Sequence, residues 1–137
     1  MSKVGIIEYD KLEIGDSLMS NNNYLREWRC PLPNLTNGDN MFFNCNNLIT
    51  FISDLPSLTN GNNMFYICKN LTTFSTNSSG SPVNLSKLTN GAGMFARCSN
   101  ITTFTADLRS LTNGMWMFRD CSNLTSFSSD LRSLNFG

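Results

Sequence analysis

The chain contains no histidine, and only 15% of its 137 residues are charged, against roughly a quarter in an ordinary soluble domain. A structural zinc site needs about four soft ligands at short paired spacings. With no imidazole and no CxxC pair among the five cysteines, such a site is not expected, nor is any cofactor. An odd cysteine count without a secretory signal also argues against a disulfide framework. Ten Lys and Arg balance ten Asp and Glu. The basic excess that captures nucleic acid or an anionic membrane is therefore missing. No apolar run approaches the roughly 18 residues of a membrane span. The opening Met1–Asp10 has one lysine and a short apolar patch cut off by acids, which is no signal peptide. The chain is expected to be cytoplasmic as synthesised, with a virion or a cell surface open as its destination.

Asn, Ser and Thr fill the place of the missing charge, and they recur in register. Leu35, Leu58, Leu88, Leu111 and Leu134 are spaced 23, 30, 23 and 23 residues apart. The same steps separate Gly38, Gly61, Gly91, Gly114 and Gly137. They also separate the Met-Phe pairs (Met41-Phe42, Met64-Phe65, Met94-Phe95, Met117-Phe118), Cys45, Cys68, Cys98 and Cys121, and Phe51, Phe74, Phe104 and Phe127. A degenerate copy precedes them: Leu12, Gly15 and Leu18-Met19 overlay Leu35, Gly38 and Met41-Phe42, and Trp28 overlays Phe51. Terminal repeats are commonly atypical because one face lacks a neighbour. Residues 1–137 thus form a single repeat domain: a cap over 1–10, a degenerate first repeat over 11–33 and regular repeats over 34–137. The 30-residue step reflects a polar, Gly/Pro-punctuated insertion over 78–84, aligned by matching Asn77 to Asp54 and Leu85 to Leu55, which reads as a surface loop.

Within a repeat, Asn60-Gly61 marks a turn, since glycine accepts positive φ without steric cost. Met64, Phe65 and Cys68 then follow the i, i+1, i+4 spacing of one helical face, and the Thr-rich stretch from Leu71 favours extended chain. The expected fold class is α/β: a solenoid with one short parallel strand and one short helical turn per 23-residue coil, neighbouring strands lying about 4.8 Å apart in a parallel sheet.

The columns Gly-x-x-Met-Phe-x-x-Cys-x-x-Leu-x-x-Phe resemble the BspA-like bacterial leucine-rich repeats, over roughly residues 11–137. Ile14-Gly15 keeps that family's Ile-Gly. Asn37, Asn60, Asn90 and Asn113 replace its Ile, and Met replaces its Ala. A related bacterial class with a Met-Phe-x-x-Cys core is similar as well. The resemblance implies a leucine-rich-repeat solenoid of the kind found in surface, adhesive and uncharacterised bacterial and phage proteins. It carries over no site residues, because the family has no shared catalytic set.

The cysteine ladder reads as a stack of small buried apolar groups, with Cys30 off it. Alternation along a strand places Phe51 inward and three columns outward: Thr50, Thr73, Thr103, Ser126; then Ile52, Ser75, Thr105, Ser128; then Asp54, Asn77, Asp107, Asp130. Paired carboxylates can do acid–base work where a pKa is raised, but here they lack a nucleophile, a phosphate cradle or a metal cluster beside them. Arg109 and Arg132 stand next to Asp107 and Asp130 as surface pairs of little energetic worth. Asn-x-Thr/Ser triplets such as Asn70-Leu71-Thr72 fall out of the repeat itself. Trp116, where other copies have Asn40, Asn63 or Gly93, has two readings, local packing and an exposed aromatic anchor. The array stops within a further copy at Leu134–Gly137, which fits three readings: a truncated piece of a longer array, an open edge that docks another chain, and a terminus that caps itself with Phe136. The expected function is a non-enzymatic scaffold binding a protein or glycan through the polar strand columns and Trp116, helped by the insertion loop 78–84. The alternatives are a structural subunit of a phage virion or bacterial surface assembly, self-associating through the C-terminal edge, and a phage-type inhibitor of a host protein.

Overall fold

The computed structural model describes residues 9–134. Most of the expected cap over 1–10, and Asn135–Gly137 with Phe136, lie outside the described residues. The rest winds into stacked coils. Five short strands form, β1 (Glu27–Trp28), β2 (Thr50–Ile52), β3 (Thr73–Ser75), β4 (Thr103–Phe104) and β5 (Ser126–Phe127), and each pairing is parallel. A second, single-residue parallel ladder joins Ile14, Asn37, Asn60, Asn90 and Asn113. Parallel in-register pairing follows from the repeat, because equivalent residues of successive coils meet face to face.

The expected helical turn is not there: among the described residues the chain has strands and turns but no helix, and none that could cross a membrane. Gly61–Cys68 is instead a run of tandem β-turns. Met64 N–H donates to Gly61 O (3.0 Å), Tyr66 N–H to Asn63 O (3.2 Å) and Cys68 N–H to Phe65 O (3.1 Å). The intervening amides of Gly61, Asn63, Phe65 and Ile67 donate outward, to the carbonyls of Asn90, Ala92, Met94 and Ala96 in the next coil, at 2.8–2.9 Å. An α-helix would commit every amide to its own carbonyl four residues back. Here alternate amides are taken by the neighbouring coil. Asn40, Asn63, Gly93 and Trp116 have positive φ, as do Asn44, Ile67, Arg97 and Asp120 four residues further on. A right-handed helix does not accommodate such residues. Apolar spacing located the buried side of this segment and misread its backbone.

The glycine column also has a different cause from the one expected. Gly38, Gly61 and Gly91 are not among the positive-φ residues. Each is buried with the next coil's methionine sulfur packed where a Cβ would stand. The left-handed position lies two residues later, where Asn40 and Asn63 sit. The asparagine before the glycine closes an Asx turn: the side-chain oxygens of Asn37, Asn60, Asn90 and Asn113 accept the amide two residues on at 2.9–3.1 Å. Ile14 of the first copy has no such oxygen and is 65% exposed.

Two aromatic rows run through the core. Phe42, Phe65, Phe95 and Phe118 stack at 5.2, 5.4 and 5.6 Å. Phe51, Phe74, Phe104 and Phe127 stack beside them at 5.3, 6.4 and 5.7 Å. The rows meet edge to face, as at Phe65–Phe74 (5.4 Å, 78°). Such contacts add about 0.5–1.5 kcal/mol per pair beyond simple burial. The widest spacing, at Phe74–Phe104, marks a break. The strands form two sheets, β1-β2-β3 and β4-β5, where one continuous sheet was expected.

Candidate functional site

The break lies where the insertion leaves the coil. Ser53 N–H crosses to the Ser75 carbonyl of the following coil at 3.0 Å. Its counterpart one coil later, Thr76 N–H, turns back to Ser81 O within the inserted loop (2.9 Å). Asn77 braces that loop: its Oδ1 accepts the amides of Ser79 (2.9 Å) and Ser81 (3.3 Å), and its Nδ2 donates to Ser81 Oγ (3.0 Å). Val83 anchors the loop in the core. Asn84, not Asn77, takes the place of the Asp column: its amide donates to Asp54 Oδ1 of the preceding coil (2.7 Å), and its Oδ1 accepts the Ser86 amide as Asp107 accepts that of Arg109 and Asp130 that of Arg132.

The coils before and after the break remain clamped on their turn side by the Asn60–Asn90 bridge and by the Thr89 hydroxyl on Thr59 O (3.1 Å). On the strand side they part. Thr72 N–H and Thr125 N–H each reach the carbonyl of the preceding coil, on Ile49 and Thr102, at 2.9 Å. Their hydroxyls reach the same carbonyls at 3.4 Å. Thr102, the equivalent residue at the break, makes neither bond among the described residues, and no backbone hydrogen bond joins 72–76 to 102–106. The result is a cleft of about 170 Å³ between β3 and β4, walled by Thr72–Ser75, Thr103–Ala106, Gly80, Pro82 and Val83, with Ile101 below.

The expected binding columns fall on both sides of this cleft. Thr50 pairs with Thr73 in the first sheet, and Thr103 with Ser126 in the second. Thr103, Thr105, Ser126 and Ser128 are exposed, Thr50, Ile52 and Thr73 half-buried. Ser75 departs from the expected outward position: it is 3% exposed, because the loop folds over it and its hydroxyl donates to Asn77 O (2.7 Å). Asn77 lies exposed in the loop, away from Asp54, Asp107 and Asp130, which are half-buried at the start of the return stretch. Each of these last three carboxylates caps a backbone amide. The guanidinium of Arg109 bonds Asp107 and that of Arg132 bonds Asp130, which holds both carboxyls below the ordinary range. Trp116 is 62% exposed on the turn segment rather than on a strand, with the Arg119 guanidinium 5.2 Å from its ring centre.

In the cysteine ladder Cys45, Cys68 and Cys98 are buried and Cys121 half-buried, and the thiols have hydrogen-bonding work that apolar packing alone does not describe. Cys45, Cys68, Cys98 and Cys121 donate to the carbonyls of Met19, Phe42, Phe65 and Phe95 in the preceding coil at 3.1–3.2 Å. Burial pushes the Cys45 thiol from 9.0 to about 11 and those of Cys68 and Cys98 higher still. Thiolate character, on which reactivity depends, is suppressed. Among the described residues no group of three or more Cys, Asp or Glu is placed to hold a metal ion. Two features went unread in the sequence. One is the cleft, whose signal was an insertion directly after a strand. The other is a surface stack of Phe43 on Tyr66 (5.4 Å, 10°), one period apart.

No curated protein and no solved structure matches this chain. The family model for the BspA type leucine-rich repeat region (6 copies) matches residues 61–135, more than half of the 137. The unmatched earlier coils continue the same ladders of Leu, Gly, Met and Phe. The chain belongs to the BspA type leucine-rich repeat family.

Proposed function

We propose that the chain is a non-enzymatic repeat scaffold that binds a protein or glycan partner through its polar strand face. The observation that carries this reading is the solvent-facing set Thr103, Thr105, Ser126 and Ser128, neutral and hydroxyl-bearing, standing on a backbone held in register by the coils beneath. Ordered side chains of this kind offer hydrogen bonds at little cost in conformational entropy. The non-enzymatic part rests on chemistry already occupied: the ladder thiols are bound to carbonyls, and Asp107 and Asp130 are engaged by their own arginines. With a net charge of zero, a nucleic-acid partner lacks its usual electrostatic drive.

The test is capture of binders by the immobilised chain, from an oligosaccharide array and from cell extract read by mass spectrometry. Thr50→Arg with Ser126→Arg places bulk and charge on the strand face on either side of the cleft. The expected outcome is loss of captured partners with Tm unchanged. Capture that survives the double substitution would sink the reading.

A further inference from the structure

The cleft between β3 and β4 has a chemistry of its own. Its walls carry the hydroxyls of Thr72, Thr73, Thr103 and Thr105, the ring of Phe74, and Pro82 as an apolar lip; no lining side chain is charged. Phe74 is half-buried where Phe51 and Phe104, its partners in the stacked row, are buried. Thr103, in the wall, also brings a main-chain amide whose equivalents in Thr73 and Ser126 bind the preceding coil. Two parted strands therefore offer main-chain donors and acceptors to an incoming group.

Size and charge narrow what fits. A cavity of roughly 150 Å³ accepts one six-membered ring, and drug-sized ligands need about 300 Å³ or more. At about 170 Å³ the cleft takes a single ring. An ionised ligand would be desolvated without a counter-charge, which is costly. A neutral ring bearing several hydroxyls matches hydroxyl and main-chain partners on two sides and an aromatic edge on the third.

We propose that this cleft is a subsite for one neutral pyranose unit of a glycan. The proposal rests on the strand face being a binding face, and it makes the inserted loop the element that creates specificity. The loop does so in two ways. It diverts Thr76 N–H from the inter-coil ladder, which parts the strands, and it supplies the lip through Gly80, Pro82 and Val83.

The experiment is an amide chemical-shift titration of the whole chain with methyl glycosides of glucose, galactose, mannose and N-acetylglucosamine. N-acetylneuraminic acid serves as the anionic arm and p-cresol as the mimic of a protein side chain. A single ring has few atoms with which to bind, so the expected dissociation constant is on the order of millimolar. The expected result is saturable shifts with at least one neutral glycoside, confined to the amides of 72–75 and 102–106. Deletion of residues 77–83 restores the 23-residue step, lets β3 pair with β4 and is expected to abolish the shifts. Thr103→Trp, at an exposed position of the cleft wall, fills the mouth without touching the loop and is expected to do the same. The proposal is overturned if no neutral glycoside shifts these amides, if the shifts persist in the folded variants, or if p-cresol alone binds there. Thr50→Arg with Ser126→Arg leaves the cleft intact. Glycoside shifts without macromolecular capture would thus defeat the scaffold reading alone, and capture without glycoside shifts would defeat the subsite alone.

Discussion

A Cβ built on Gly38 or Gly61 would lie 2.7 or 2.8 Å from the sulfur of Met64 or Met94 in the next coil. Alanine at Gly61 forces that buried methionine aside, and overpacking of this kind costs about 1–3 kcal/mol. At Gly114 the nearest atoms are Leu111 Cδ2 at 3.1 Å and Leu134 Cδ1 at 3.6 Å, with no methionine among the close neighbours. Restricting the unfolded chain there gains up to about 1 kcal/mol. Gly61→Ala should therefore lower the urea midpoint clearly, and Gly114→Ala should leave it near the parent; equal losses would refute the packing account. The thiols make a second prediction at this scale. A folded-state pKa raised above the unfolded value means that the native chain holds its proton longer. Stability is then full below the unfolded value of 9.0 and is lost as pH rises through about 11 for Cys45, with Cys68 and Cys98 adding to the fall. The denaturation midpoint should drop between about pH 9 and pH 11, less so in Cys98→Ala. A flat alkaline profile would contradict the buried thiol ladder.

Among the strands, β2 to β5 were legible as Thr- and Ser-rich stretches around a phenylalanine and β1 by the overlay of Trp28 on Phe51, and the pairing of equivalent residues followed from the period. What was not legible was the gap in the ladder. Thr72, Thr102 and Thr125 occupy one column and look alike in sequence, yet only Thr72 and Thr125 find an acceptor in the preceding coil. Hydrogen exchange should separate them. The amides of Thr102 and Thr103 should exchange at least about tenfold faster than those of Thr125 and Ser126, since local protection follows the backbone hydrogen bond. Uniform protection down the column would mean that β3 and β4 are joined. The turn segment was misread for a related reason. The spacing of Met64, Phe65 and Cys68 suits a helical face and a tandem turn equally well, and the discriminating signal was weak: turn-prone Asn40, Asn63 and Gly93 in one column, but Ile67 and Arg97 in the other.

In a solenoid each coil touches only its neighbours, so the whole is a sum of local terms. The sequence by itself determined the period, the parallel stacking, the buried Leu, Met and Phe columns and the packing role of the cysteines. These depend on which side chains recur at a fixed step, and burial of recurring apolar groups has one economical solution. Only the tertiary structure decided that the short segment is tandem turns rather than helix, that glycine answers to a methionine and not to φ, and that Thr76 abandons the ladder for its own loop. Each of those turns on which partner an amide or a Cβ meets in the adjacent coil, and that partner is set by the distance between coils, which no single repeat encodes.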